Sequence, residues 1–204
     1  MMRMLGIVSA VLVSVPVQAL AADFDIDTSH SQVGFAVKHL MVSTVKGEFQ
    51  KVSGTVSYDP KKPEATALDV TIDIGSISTR EAKRDGHLKS PDFFDADKFG
   101  TATFKSTKVE KAGAGKLKVT GDLTIKGVTK PVTLEVTGPS AEAKSPWGQT
   151  VVAASATGKI NRKDFGMTWN KTLDGGGLLV GETVDLSIDA ELIKKEAAPA
   201  EAKK

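Results

Sequence analysis

The chain has 204 residues, and its 27 Lys and Arg residues nearly balance its 25 Asp and Glu residues, leaving a formal net charge of +2. This balance argues against the basic footprint of nucleic-acid-binding proteins and against a site that attracts acidic substrates. The sequence contains no cysteine, so disulfide bonds, thiol catalysis and a lipid anchor on cysteine are excluded.

The first residues have the pattern of a signal peptide. Arg3 supplies a positive charge, an apolar stretch runs over residues 5–15, and Pro16 ends it. Ala19-Leu20-Ala21 has the small-x-small pattern of a cleavage site. The apolar stretch is shorter than the ~20 residues that span a bilayer, which argues against a membrane anchor. We therefore expect export to the periplasm with cleavage after Ala21.

Most of the remaining chain alternates apolar and polar residues, which is the two-residue period of β-strands. Nine stretches alternate in this way, and they predict about eight long strands. The stretches are residues 24–26, 33–37, 49–58, 68–74, 101–107, 117–125, 132–136, 151–158 and 184–192. The phase shifts near Lys51, which predicts a bulge. The short apolar stretch His39–Ser43 is interpreted as a single helical turn. We expect one domain over residues 22–193 and a disordered tail over residues 194–204.

Residues 78–99 interrupt the alternation. Ser78 and Glu81 form a capping-box pattern that predicts the start of a helix, and Gly86 predicts its end. Ser90-Pro91 then predicts a second helical turn, with Ser90 as its cap.

That second turn carries Phe93 and Phe94. Two aromatic side chains on a short helix in a β-rich chain need an apolar surface, and the open end of a closed sheet offers one. We therefore interpret residues 78–99 as a lid.

The alternation favours an all-β fold, an antiparallel barrel of about eight strands with this short helical lid. Closure into an up-and-down barrel removes exposed sheet edges, and about eight strands leave room for side chains or one small ligand. A β-sandwich with a packed core is the alternative. In the barrel, the inward residues are Val70, Ile72, Leu123, Ile125, Leu186 and Ile188, and the outward residues are Asp69, Asp73, Lys118, Asp185 and Asp189. Small residues that could leave space inside are Gly34, Gly121, Ala153 and Ala156.

Few residues suggest catalysis. The three histidines, His30, His39 and His87, lack the spacing of a metal site. The motifs G-x-S-x-G, G-x-G-x-x-G and the P-loop do not occur. Arg84, Asp85 and His87 can be read as an acid–base set or, as we favour, as polar residues that fix the lid to the barrel rim.

The alternating residues Phe165, Met167 and Trp169 face one way. They form either ordinary core packing or a soft, polarizable wall against an alkene chain.

Three separated stretches resemble the YceI-like polyisoprenoid-binding family: His39–Gly47, Arg84–Asp95 and Asp122–Val132. The resemblance spans residues 24–193 and implies a lipocalin-like barrel that holds an isoprenoid. The expected ligand-binding residues are Phe35, Val37, Leu40, Phe49, Val70, Ile72, Phe93, Phe94, Phe104, Leu123, Phe165, Met167 and Trp169. The expected polar residues of the lid and rim are His39, Arg84, Asp85 and His87.

Two functions follow as expectations. The first is a periplasmic carrier or store of an amphipathic isoprenoid, such as a quinone or a polyprenyl phosphate, with no metal and no cofactor other than this ligand. A transient contact with a membrane or a membrane enzyme fits this role, in either a monomer or a homodimer, and no nucleic-acid partner is expected. The second is an exported hydrolase-like enzyme that uses His87 with Asp85 or Asp92.

Overall fold

A computed structural model describes residues 21–173 and 176–196. It contains twelve β-strands and one α-helix, α1, over Ala82–Lys89. The strands are β1 Ala22–Ile26, β2 Gln32–His39, β3 Ser43–Phe49, β4 Val52–Tyr58, β5 Ala67–Asp73, β6 Ile77–Ser78, β7 Thr101–Gly113, β8 Lys116–Ile125, β9 Val128–Thr137, β10 Ala143–Lys144, β11 Thr150–Asn161 and β12 Val180–Lys194.

The strands close into an antiparallel barrel of eight staves. β1 and β2 lie end to end along β12, β3 pairs with β2, and β4 pairs with β1. In the same way β5 pairs with β4, and β6 pairs with β3. The first six strands therefore form three interrupted staves, and β7, β8, β9, β11 and β12 form the other five. Pairing of β11 with both β9 and β12 closes the ring, so the predicted closed barrel is confirmed and the sandwich is excluded.

The bulge predicted near Lys51 is instead a break between two strands, because β3 ends at Phe49 and β4 begins at Val52. The predicted helical turn at His39–Ser43 is wrong, because β2 continues to His39 and β3 begins at Ser43. Leu40 and Met41 form a tight turn between these strands, with φ angles of 52° and 60°. A helical turn would have broken the ladder in which Val37 pairs with Val45.

The predicted alternation places the apolar side chains inside. Ile72, Leu123 and Ile125 are buried, and Val70, Leu186 and Ile188 are half-buried and face the interior. The outward residues Asp69, Lys118, Asp185 and Asp189 are exposed, and Asp73 is partly exposed. A second cluster, away from the lid, consists of Phe24, Val56, Val152 and Leu192.

The C-terminal strand extends slightly farther than expected. β12 includes Lys194, and the backbone N–H of Lys195 donates to the carbonyl of Asp23 at 2.8 Å. Residues 1–20 of the predicted signal peptide and residues 197–204 of the predicted tail lie outside the described residues. Within the described part, no helix is long and apolar enough to cross a membrane.

Candidate functional site

The barrel interior contains two apolar cavities. The inner cavity has a volume of about 160 Å³ and is lined by residues that include Leu68, Val119, Val136 and Ala156. The middle cavity, nearer the lid, has a volume of about 130 Å³. Both are lined by apolar surface, and both touch Val33, Ile72, Leu123 and Leu186. They are therefore neighbours along the barrel.

A third cavity of about 180 Å³, the mouth cavity, continues from the middle cavity toward solvent. The two share Phe35, Val37, Leu88, Phe93 and Val180. Four polar side chains, Lys38, His39, Arg84 and His87, line the mouth cavity. Polar residues such as Gln32 and Asp189 also border the inner cavity, and Arg162 borders the middle one, but the surface that these two cavities expose is apolar. The barrel thus holds an apolar interior that becomes polar where it reaches the surface.

Small residues shape this interior unevenly. Ala156 lines the inner cavity, whereas Ala153 is exposed on the outer face of β11. Gly121 does not leave free space, because the ring of Phe104 occupies it: a Cβ at Gly121 would lie 2.5 Å from that ring. Gly34 would bring a Cβ within 2.7 Å of the Ser187 hydroxyl, which belongs to an exposed residue, so it does not enlarge the interior.

The lid begins with a capped helix, but the cap differs from the predicted one. Ser78 belongs to β6, and Glu81 caps α1 by accepting from the backbone N–H groups of Lys83 and Arg84 at 3.2 and 2.6 Å. A carboxylate at this position also favours the helix N-terminus electrostatically. The helix passes through Gly86 and ends at Lys89. Gly86 therefore does not terminate it, and the extra turn brings Leu88 to the middle cavity.

The predicted second helical turn is also wrong. Ser90 is the C-cap of α1, and its hydroxyl donates to the carbonyl of His87 at 2.8 Å. The Ser90 carbonyl accepts from the backbone N–H groups of Phe93 and Asp95, and these bonds form successive tight turns. In this arrangement the adjacent side chains of Phe93 and Phe94 pack against different residues.

Arg84 and Asp85 both bond to one buried residue at the start of the lid, Thr79. Nε and Nη2 of Arg84 donate to the hydroxyl and carbonyl oxygens of Thr79 at 2.8 and 2.9 Å. The Thr79 backbone N–H and hydroxyl both donate to Asp85. These bonds join α1 to the residue that directly follows β6, and the role of Arg84 and Asp85 at the barrel rim stays a prediction. The two hydrogen bonds to the Asp85 carboxylate come from Thr79 and not from His87.

The lid aromatics contact both the mouth and the middle cavity. The ring of Phe93 lies 5.1 Å from His87 and 5.4 Å from Trp169, centroid to centroid. Phe94 packs edge-on against Phe49 at 5.6 Å. Phe93 is therefore part of the mouth, whereas Phe94 joins the lid to the barrel interior.

His87 forms a pair with Asp92. Nε2 of His87 lies 2.9 Å from Oδ2 of Asp92, and an ionised carboxylate can only accept, so the imidazole is the donor. Both side chains are substantially exposed. This pair is the geometric basis for the enzyme alternative, with Asp92 and not Asp85 as the partner.

Arg162 is a feature that the sequence analysis missed. Its side chain is only 3% exposed, and its guanidinium donates to the backbone carbonyls of Gly181, Met167 and Trp169. Burial lowers the pKa of Arg162, and the nearby Glu182 partly opposes that shift. A buried cation paired mainly with carbonyl dipoles holds residues 167–169 against β12. Nothing in the local sequence pattern distinguishes it from an exposed arginine.

The predicted ligand-binding residues fall into three groups. The inner or middle cavity is lined by Phe35, Val37, Phe49, Val70, Ile72, Phe93, Phe94, Phe104, Leu123 and Met167. Trp169, with the polar residues His39, Arg84 and His87, lines the mouth cavity. The other two predicted residues are placed elsewhere: Leu40 is exposed in the β2–β3 turn, and Phe165 is buried in the core with 1% exposure, outside all three cavities.

The reason for the Phe165 difference is local. Residues 162–165 form a short 3-10 helix that Gly166 ends with a φ of 75°, so this segment is not a strand with one cavity-facing side. Phe165 and Met167 are nevertheless both buried.

A separate polar cluster lies at the β1–β2 connection. Nδ1 of His30 donates to Asp27 at 2.8 Å and lies 3.9 Å from Glu191. The Asp27 hydrogen bond raises the pKa of His30, and the same bond lowers the pKa of Asp27. One ligand atom from each of these residues lies within 4.8 Å of the others. Only His30 of the three is exposed, and Asp27 and Glu191 are half-buried.

Comparison with known proteins identifies the family of this chain. The sequence profile of the YceI-like domain matches residues 24–192. The chain belongs to the YceI-like family. A UPF0312 protein of Vibrio vulnificus strain YJ016 is 40% identical over 188 residues, which cover 91% of this chain and 95% of that protein. A UPF0312 protein of Vibrio cholerae O395 is 42% identical over 160 residues, covering 78% and 84%.

Solved structures of this YceI-like chain's neighbours have the same fold. The Campylobacter jejuni YceI protein matches with a TM-score of 0.66 and 39% identity, covering 78% of this chain and 90% of that one. Burkholderia cenocepacia BcnA matches with a TM-score of 0.69 and 28% identity, covering 81% and 98%. A polyisoprenoid binding domain from Saccharophagus degradans matches with a TM-score of 0.60 and covers 86% and 99%. Its 16% identity supports the shared fold alone.

Proposed function

We propose that this YceI-like protein binds an isoprenoid lipid, with the tail in the inner and middle cavities and the head group at the mouth cavity. The observation that carries the proposal is the shared lining of the three cavities, which makes them one elongated site. The site is apolar inside and polar at one end, as an amphipathic chain requires.

The cavity volumes suit a branched hydrocarbon chain. Each volume lies between about 130 and 180 Å³. An apolar cavity of about 150 Å³ can hold one benzene molecule, which is close in size to one five-carbon isoprene unit. About three units therefore fit without rearrangement, and a longer tail requires movement of lining side chains such as Leu186 and Leu88.

Burial of the tail offsets most or all of the free-energy cost of association. Each buried CH₂-sized group contributes about 0.8 kcal/mol, and association costs about 4–15 kcal/mol. Three isoprene units contain fifteen carbon atoms and so contribute about 12 kcal/mol on the same scale. The head group then needs to add little affinity, and His39, Arg84 and His87 are the polar side chains available to orient it.

The experiment that tests this proposal uses a ladder of prenols. Delipidated protein is titrated with geraniol, farnesol and geranylgeraniol, and binding is followed by native mass spectrometry and thermal melting. Affinity should rise from geraniol to farnesol, because the added isoprene unit buries more apolar surface. Equal or undetectable binding of all three prenols would refute a tail-binding site.

A matched pair of variants locates the tail. Ala156→Phe fills the inner cavity, so it should weaken farnesol binding more than geraniol binding. Ala153→Phe makes the same change three residues earlier on the outer face of β11, and it should leave both affinities unchanged. If the two variants behave alike, the tail does not occupy the inner cavity.

The proposal includes periplasmic carriage or storage, supported by the signal-peptide pattern of residues 1–21. The intact mass of protein from the periplasmic fraction should correspond to a chain that begins at Ala22. Recovery of the full-length chain from the cytoplasm would contradict export.

A hydrolase-like activity is the second candidate, and the His87–Asp92 pair is the observation that favours it. Its test is turnover of a prenyl ester by the wild type and by His87→Ala. Turnover by the wild type that is abolished in His87→Ala would support the enzyme. Prenol binding by the wild type with no turnover of the ester would support the binding protein.

A further inference from the structure

The turn between β2 and β3 exposes an apolar tip, which we define as Leu40, Met41 and Val42. The backbone N–H of Val42 donates to the carbonyl of His39 at 3.2 Å and closes the turn. Leu40 and Met41 are its two central residues, and both have positive φ angles. Leu40 is 40% exposed, Met41 59% and Val42 81%.

This choice of residues opposes local preference. Tight turns with two positive φ angles favour Asn-Gly, because most side chains are disfavoured there. Leu40 and Met41 accept this conformational strain while leaving much of their apolar surface in water. Residues that break a local rule without a packing gain are expected at functional sites.

The tip lies beside the mouth cavity. The Leu40 backbone N–H donates to the Leu179 carbonyl at 2.8 Å, and the Leu179 N–H donates to the Lys171 carbonyl at 2.9 Å. Leu179 and His39, which directly precedes the tip, both line the mouth cavity. Whatever the tip contacts is therefore brought next to the polar end of the site.

Three exposed lysines lie on the segments next to the tip. Lys38 lies two residues before Leu40, Lys171 is held near it through Leu179, and Lys46 lies farther along β3. Within residues 21–173 and 176–196, none of these three lysines forms an ion pair with an acidic side chain. Apolar side chains flanked by cations have the chemistry of an element that binds an anionic membrane surface.

We propose that the tip inserts into the head-group region of an anionic lipid membrane and places the mouth cavity at that surface. A second copy of the chain is a poorer occupant, because a stable protein interface uses about 20–30 residues on each side, whereas the tip supplies three. The inference deepens the proposed function by naming the membrane as the partner. It rests on that function only for the reason why the protein docks, which is to exchange an isoprenoid with the membrane.

The test measures co-sedimentation of delipidated protein with vesicles that contain no isoprenoid. One vesicle type is phosphatidylcholine alone, and the other also contains phosphatidylglycerol. We expect tighter binding to the phosphatidylglycerol vesicles, with a loss of affinity at high salt. Equal binding to both vesicle types, or binding to neither, would overturn the proposal.

The decisive variant replaces the central residues of the turn by Leu40→Asn with Met41→Gly. Because this pair suits positive φ angles, the variant should melt at the same or a higher temperature than the wild type. Its vesicle affinity should fall roughly 10-fold or more, since two partly buried apolar side chains are lost from the membrane contact. Val42→Ser, which leaves both central residues in place, should weaken binding in the same direction.

Trp147→Ala is the matched control. Trp147 is also exposed, at 80%, but it lies in the β10–β11 turn near the other end of β12. Its variant should bind vesicles as the wild type does. Loss of binding in Trp147→Ala with full binding in the double turn variant would show that the opposite end docks, which overturns the proposal.

Two further readouts separate the alternatives. If the wild type is a dimer and the double turn variant a monomer at the same concentration, a second copy covers the tip and the membrane proposal is wrong. The double turn variant should also keep the farnesol affinity of the wild type in solution. Failure of the prenol ladder would thus refute the ligand site, whereas failure of vesicle binding would refute only the docking tip.

Discussion

The imidazole of His87 lies edge-on to the indole of Trp169, with ring centroids 4.8 Å apart. His87 belongs to the lid helix, and Trp169 belongs to the segment that Arg162 holds against β12. This contact joins two elements that are more than eighty residues apart in the chain. The mouth cavity is therefore bounded by the lid on one side and by an anchored loop on the other.

The lid aromatics should couple ligand binding to stability. We expect Phe93→Ala with Phe94→Ala to lower the stability of the empty protein by several kcal/mol, since a buried Phe→Ala change costs about 3–5 kcal/mol. Farnesol should then raise the melting temperature of the variant less than that of the wild type, because a ligand stabilises the folded state more when it binds more tightly. The measurement is thermal melting of both delipidated proteins before and after reloading. Equal stabilisation by farnesol would show that these rings serve only as core.

The buried Arg162 should be a major contributor to stability. Arg162→Met leaves several backbone carbonyls without their donor, so the free energy of unfolding should fall by about 3–5 kcal/mol in urea denaturation. Lys163→Met is the neighbouring control, since it removes only a partly exposed ion pair with Glu182, worth about 0–1 kcal/mol. Similar losses in the two variants would contradict the role of Arg162 as an anchor.

Two glycines should respond oppositely to alanine. A Cβ at Gly121 would lie 2.5 Å from both the Phe104 ring and the Lys105 carbonyl oxygen, so Gly121→Ala should destabilise the protein by about 1–3 kcal/mol. A Cβ at Gly86 meets no atom within 4 Å, and the residue lies inside α1. Gly86→Ala should therefore stabilise the protein by about 0.5–1 kcal/mol. Chemical denaturation of both variants gives the two signs directly.

The Asp27–His30 pair should make stability depend on pH. The pKa of His30 is raised from 6.5, so its contribution is fully present below about pH 6.5 and is lost as the pH rises through the raised value. The pKa of Asp27 is lowered from 3.8, so its contribution is present above about pH 3.8 and is lost as the pH falls through the lowered value. The pair therefore contributes most between these two limits.

The measurement for this pair is an NMR titration of His30 together with unfolding at several pH values. Asp27→Asn should return the pKa of His30 toward its ordinary value, because it removes the largest cause of the shift. Glu191→Gln should lower it less, since Glu191 acts only through its charge at 3.9 Å. An unchanged His30 pKa in Asp27→Asn would contradict the hydrogen bond as the cause.

The residues that the sequence predicted correctly are those whose environment follows from period and neighbours. Ile72, Leu123 and Ile125 face inward because a strand alternates its side chains and only one face of a closed barrel is dry. Glu81 shows where such reasoning weakens. Ser78, three residues earlier, is also a helix-capping residue type. Glu81 caps α1 because Ser78 is in β6, where it pairs with Glu48 of β3.

Sequence alone determined that this protein is an alternating β-chain with one interruption, because two-residue periodicity and capping residues are local properties. Most of the predicted ligand-binding residues also lie on a cavity wall, since inward-facing apolar residues must line whatever space the barrel encloses. The tertiary structure alone decided that Arg162 is a buried anchor, that Asp92 and not Asp85 meets His87, and that Leu40 is exposed. Each of these depends on distances between segments that are remote in sequence or on the path of a turn, which no residue pattern specifies by itself.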